Sequence, residues 1–185
     1  LEDYIPFIER VQTIVTKHDK QLIGWDEVSH AQLAGDAVVQ YWADAENALR
    51  GVAQGAKVLL SPAHKVYLDM QYDSTTQLGL HWAAYIEVDS AYLWSPESLV
   101  PGLERENILG IESPLWSETI TNMDEIEYMA FPRIISHAEI GWTSFEKRDW
   151  SNFKDRLANH AQILKSLEVD FYESEQVDWR LKIEN

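Results

Sequence analysis

The chain has 185 residues, enough for one domain with a sizeable core. Its 15 Lys and Arg stand against 31 Asp and Glu, a formal charge of −16, which argues against binding a phosphate backbone. There is no cysteine, which excludes disulfides, thiol nucleophiles and Cys-type zinc sites, and no apolar run approaches a membrane span; neither nucleic acid nor a membrane is expected as a partner, and no cofactor or metal.

Residues 4–18 place Ile5, Ile8, Val11 and Ile14 or Val15 at the spacing of one helical face, with Pro6 near the start. The chain thus opens inside a helix, with neither Met nor a signal-peptide pattern, which predicts a fragment or a processed chain. A soluble protein is expected, cytoplasmic or secreted, with any signal lying upstream. QLIGW (21–25) reads as a short strand ending in Asp26-Glu27, and 28–35 as a loop. Residues 37–42, ending in Trp42, form the second predicted strand. Asp44 is placed to cap a helix over 45–54 that Gly55 stops. Lys57–Ser61 is the third strand, halted by Pro62. A long polar and aromatic excursion then runs to about residue 107, holding Trp82, Trp94 and a short helix near 87–94.

The fourth strand begins at Ile108 and runs into Ile108-Leu-Gly-Ile-Glu-Ser-Pro-Leu-Trp-Ser-Glu118, where an apolar run gives way to an indole and a carboxylate. Indole stacks on the C–H face of a pyranose, and a carboxylate accepts hydrogen bonds from its hydroxyls. The alternative is that Trp116 is core and Glu118 caps a helix or faces water. Beyond this strand, Asp124 with Glu127 resembles a capping pair, with Met123 and Tyr128 as a hydrophobic staple, for a helix to about 139 that kinks at Pro132. A last helix, 151–167, shows Phe153, Leu157, Ile163 or Leu164, and Leu167 on one side; the tail, 168–185, is acidic and aromatic with a short strand expected at 169–172. Strands alternating with helices imply a parallel α/β sheet. Strand exits that repeatedly carry Trp or acid favour a (β/α)₈ barrel, which uses every exit, over a doubly wound sheet, which uses one switch point. A full barrel needs eight strands and about 250 residues, so the pattern predicts half a TIM barrel.

GWDE (24–27), VVQYW (38–42), VYLDMQY (66–72), GLHWAAY (79–85), ILGIESPLWSE (108–118) and FPRIISHAEIGW (131–142) together resemble the C-terminal half, about strands 5–8, of the catalytic barrel of family 20 glycoside hydrolases, the β-N-acetylhexosaminidases. The resemblance covers roughly residues 1–165 and implies a half-barrel over 1–167 with residues 168–185 packed on it as a tail. It also implies a retaining, substrate-assisted exo-hydrolase of terminal β-linked N-acetylglucosamine or N-acetylgalactosamine, in which the 2-acetamido oxygen of the substrate replaces a protein nucleophile. By the same resemblance Trp25, Trp42 and Trp116 look like the indoles around the acetamido group and ring, and Trp82 like one at the rim. Tyr67 looks like the phenol that donates to the acetamido oxygen, and Asp69 and Glu118 like the carboxylates that hold the O6 and O4 hydroxyls.

The sequence departs from the family in one respect that bears on activity. The family's acid is the Glu of a His-x-Gly-Gly-Asp-Glu segment, and these residues contain none. Asp26-Glu27 also follows a strand, but Ile23-Gly24-Trp25 before it fits a different family motif. The family's early substrate-binding Arg is missing too. The expectation is that the chain is inactive alone and is completed by an N-terminal half or by self-association. Rival readings are a two-carboxylate glycosidase using Glu27 and Glu118, and a non-catalytic sugar-binding module. Tyr67 also fits a core phenol. Trp94, Trp142, Trp150 and Trp179 are assigned to packing, and His30, His64, His81, His137 and His160 show no metal-ligand spacing.

Overall fold

A computed structural model describes residues 1–180; the last five residues of the predicted tail lie outside them. The fold is α/β, and the chain divides into two compact bodies, residues 1–62 with 95–112, and residues 63–94 with 113 onward.

The first body is built on four parallel strands, β1 (Ile23–Trp25), β2 (Val38–Tyr41), β3 (Lys57–Leu60) and β4 (Ile108–Ile111), in sequential order. Register is set by pairs such as Ile23 with Val38, Val39 with Val58, and Leu60 with Ile111, with a slip between Val58 and Leu59. All four residues of β2 are buried, as a central parallel strand requires. In one cluster Val39 joins Val28, Ala31, Leu33 and Ile8 of α1 (Tyr4–Lys17). Ile14 is exposed while Val15 is half-buried, so of the two candidates Val15 is the inward residue. In a second cluster, Tyr41, Val58, Leu60 and Ile108 pack with Ala48 of α2 (Ala45–Ala53) and with Val100 and Leu103. Asp44 caps α2 by accepting from the amides of Glu46 and Asn47, and Gly55 follows at φ +93°. Residues predicted as a plain loop after β1 instead begin within a 3₁₀ helix, Asp26–His30.

The second body holds the excursion. After α3 (Ala63–Val66) its backbone is irregular as far as α4 (Val88–Tyr92), apart from one bridge between Met70 and Leu80. A further short helix, α5 (Pro96–Leu99), belongs to the first body. Tyr92 of α4 stacks on Phe153 of α8 (Trp150–Ser166) at 4.2 Å, with Leu157 and Val177 alongside.

Several expectations are corrected here. The helix expected to 139 with a kink is two helices, α6 (Met123–Ala130) and α7 (Arg133–Trp142), because the residue before a proline is pushed out of helical geometry; Phe131 is extended. The cap of α6 is Asn122, which accepts from the Glu125 amide at 3.0 Å, not the Asp124 and Glu127 pair. Met123 is exposed and forms no staple, while Glu127 accepts from the Asp170 amide at 2.8 Å. On α8 the buried face is Phe153, Leu157, Ala161 and Leu164; Ile163 and Leu167 are exposed. No strand forms at 169–172: Phe171 packs on Ala161 and Leu164, Tyr172 stacks on Tyr72 at 3.9 Å, and the Tyr172 amide donates to the Phe131 carbonyl. Trp94 is buried, and Trp150 and Trp179 pack against the cluster of Tyr92 and Phe153, but Trp142, expected in packing, is 94% exposed. Among the described residues no helix is long and apolar enough to cross a membrane.

Candidate active site

Of the eight predicted site residues, the first body carries three: Trp25, the last residue of β1, Glu27, and Trp42, the residue after β2. The Asp26-Glu27 pair is put to structural use. The Oδ2 atom of buried Asp26 accepts from the amides of Trp42, Ala43 and Asp44 at 3.1–3.3 Å, and Oδ1 accepts from Asn47 Nδ2 at 2.9 Å. Glu27 Oε1 accepts from the Trp42 indole Nε1 at 3.1 Å, which fixes the plane of that ring. A second polar link joins three neighbouring strand ends: Gln40 Nε2 donates to Ser61 Oγ at 3.0 Å and to Glu112 Oε1 at 2.7 Å.

The second body carries Tyr67, Asp69, Trp82, Trp116 and Glu118. Tyr67 is buried, and its ring meets the edges of two indoles, Trp82 and Trp116, each at 6.1 Å, at 79° and 60°. Trp82 is 57% and Trp116 40% exposed, so Trp116 is not core, and Glu118 faces solvent. Asp69 is 2% exposed, and its Oδ1 has no hydrogen-bond partner among the described residues. Burial raises its carboxyl pKa; the Asp69 and Trp116 amides oppose this, the charge of Glu118 adds to the rise, and Arg133 again opposes it.

The irregular backbone under these side chains is held from α7. Arg133, fully buried, donates through Nη1 to the carbonyls of Met70 at 2.6 Å and Ile86 at 3.1 Å, and through Nη2 to those of Leu68 at 2.7 Å and Met129 at 2.6 Å. It therefore grips the backbone on both sides of Asp69. Its charge lies 3.8 Å above the Tyr72 ring. One turn along the helix, buried His137 reaches the Lys65 carbonyl and Ser113. Gly79, at φ +93°, fits where a Cβ would stand 2.6 Å from both the Asp69 carbonyl oxygen and Met129 Cε. The Leu80 amide donates to the Asp69 carbonyl, and the Gly79 amide to Thr119 Oγ1.

Sequence reasoning assigned no role to Arg133, His137, Gly79 or Gln40. The available signal was an Arg and a His at i, i+4 spacing in the largely apolar FPRIISHAEIGW stretch. Among the described residues no three His, Asp or Glu side chains are grouped so as to hold a metal ion.

The description "Glycosyl hydrolase family 20, catalytic domain" matches residues 1–145. The chain belongs to glycoside hydrolase family 20. The family 20 chain is 39% identical over 181 residues to a β-N-acetylhexosaminidase of Cellulomonas fimi, covering 96% of this chain and 36% of that protein. It is 29% identical over 155 residues to a β-hexosaminidase of Porphyromonas gingivalis, covering 83% of this chain and 20% of that protein. Among solved structures, a Streptomyces plicatus N-acetyl-β-hexosaminidase in complex with thio-NAglucal superposes with TM-score 0.92 at 39% identity, covering 97% of this chain and 37% of that one. A family 20 enzyme of Streptomyces coelicolor gives 0.91 at 39%, covering 97% and 38%. The family 20 chain thus spans well under half the length of these relatives. Its four parallel strands with their helices are part of the family's TIM barrel.

Proposed function

We propose that these residues are the acetamido-binding part of a retaining, substrate-assisted exo-β-N-acetylhexosaminidase. The observation that carries the reading is the second-body cluster: a buried phenol between the edges of two partly exposed indoles, with, two residues away, a buried carboxylate oxygen that has no hydrogen-bond partner among the described residues. Such a group suits a neutral sugar, whose hydroxyl satisfies the carboxylate and whose acetamido group accepts from the phenol. In this reading Tyr67 aims the acetamido oxygen at the anomeric carbon. Holding the internal nucleophile in line supplies orientation that a free reactant lacks. Asp69 and Glu118 accept from the sugar's O6 and O4 hydroxyls, Trp82 and Trp116 wall the site, and Trp25 and Trp42 keep the sugar-binding role that the family motifs imply for them.

The general acid comes from outside these residues, because Asp26 is committed to four hydrogen bonds and Glu27 holds Trp42. Those bonds also weigh against the two-carboxylate alternative. The partner supplying the acid is the N-terminal half of the same barrel; a second copy of this chain would bring no Asp-Glu segment of the required kind. The substrate is a terminal N-acetylhexosamine of a glycan or chitooligosaccharide. The test is hydrolysis of a chromogenic N-acetyl-β-glucosaminide by the chain with and without its upstream segment. Turnover is expected only in the completed protein, and there Tyr67→Phe should lower kcat about 10²-fold with less effect on ground-state binding. Turnover by the chain alone would return Glu27 to candidacy as the acid, and none by the completed protein would favour the sugar-binding module.

A further inference from the structure

Two segments of the second body carry the phenol and the indole that face each other, residues 65–69 and 113–118. Besides the bond from the Trp116 amide to the Asp69 carboxylate, two links join their outer ends. The Leu68 amide donates to the Pro114 carbonyl at 2.8 Å. The second bridge is the imidazole of His137, with Nε2 3.1 Å from the Lys65 carbonyl oxygen and Nδ1 2.8 Å from Ser113 Oγ. A carbonyl only accepts, so Nε2 bears the proton and Nδ1 presents a lone pair, to which the Ser113 hydroxyl donates. The direction of both bonds is therefore settled by the partners. Tyr67 lies between the residues gripped on one segment, and Trp116 stands two residues beyond Pro114 on the other.

We propose that His137 is a positioning residue: it sets the spacing of Tyr67 against Trp116, and so the width of the slot that receives the acetamido group. The role rests on the function proposed above for Tyr67, whereas the bridge itself does not. Burial, and then the neighbouring charge of Arg133, push the imidazole pKa down to about 3. The ring therefore stays neutral at any pH at which a sugar hydrolase is assayed. It neither gives nor takes a proton in the reaction; it acts through the position of two rings. A displacement of order 1 Å in a reacting geometry can lower a rate by about 10²-fold.

The experiment compares His137→Leu, which fills the space without bonding, with His137→Gln, whose amide can donate to Lys65 and accept from Ser113. The first readout is hydrogen exchange at the Leu68 amide, which needs no activity. Protection is expected to fall about 10-fold or more in His137→Leu and to be largely kept in His137→Gln. The second is kinetics in the completed protein: kcat about 10-fold lower for His137→Leu with KM little changed, restoration by Gln, and a pH–rate profile of unaltered shape between pH 5 and 8. If His137→Leu does not fold, Ser113→Ala removes one end of the bridge and should shift both readouts in the same direction. Leu68 protection and kcat equal to the unsubstituted protein would overturn the inference, as would equal damage by Leu and Gln or a moved pH profile. Failure of the unsubstituted protein to cleave the glucosaminide would sink the function of Tyr67, while the exchange readout would still decide the bridge.

Discussion

In the first body, Trp25 and Trp42 leave strands whose places are dictated by the parallel ladder, and a side chain such as Glu27 only trims the ring orientation. In the second, Tyr67, Asp69 and Trp82 lie on irregular backbone, and buried side chains from α7 do the work that strand pairing does elsewhere. Main-chain pairing is cheap to encode and tolerant of substitution, because any residue but proline supplies the same groups. Holding carbonyls by a buried guanidinium depends on a few particular residues.

That contrast is tested most severely at Arg133. Arg133→Met would take the guanidinium from four carbonyls, of which that of Met129 keeps the Tyr72 hydroxyl, and a buried unsatisfied polar group costs roughly 1–3 kcal/mol. A total loss of at least about 3 kcal/mol is expected after partial relaxation, read as a lower urea midpoint. An unchanged midpoint would show that the excursion finds other donors, and the contrast would be lost. Asp26→Ala is the counterpart in the first body. It removes the buried acceptor of three loop amides and should cost about 1–3 kcal/mol, with a change in Trp42 fluorescence but persistent amide protection in β2 and β3. Collapse of that protection would mean the ladder also depends on a side chain.

The smallest effect concerns Asp69. Its pKa is raised in the folded chain, so between its ordinary value and the raised one the native state binds more protons than the unfolded state. Stability from this group is therefore greatest at low pH and falls as pH rises through the folded pKa. Asp69→Asn should be more stable than the unsubstituted protein at pH 7, with the gap closing as the pH falls toward 4. Thermal unfolding across that range reads it, and a gap that widens at low pH would reverse the assignment.

The same contrast explains what the sequence disclosed. The four strands and α2 were legible because apolar runs, Asp44 and Gly55 each act locally. The indoles and acids at strand exits were legible as residue types, and the family motifs supplied their grouping. The grip of Arg133 on Leu68, Met70 and Ile86 was not, since it spans 47 to 65 residues and has no periodicity to betray it. The capping of α6 was misplaced for a smaller reason: Asn122 and Asp124 are both good cap residues, and only the backbone decides between them. Trp142 is read as packing because no acid at a strand exit lies near it in the sequence, which does not distinguish a covered surface from an open one.

Gly79 carries a consequence for inheritance and for engineering alike. All nineteen alternatives bring a Cβ into a place where the Asp69 carbonyl and Met129 already stand, and into a backbone conformation that L residues rarely adopt. No change of residue at this position is neutral on these terms, however freely the residues on either side drift. A loop transplanted into the excursion from another protein would have to bring a glycine to this spot, or else shift the segment that bears Asp69.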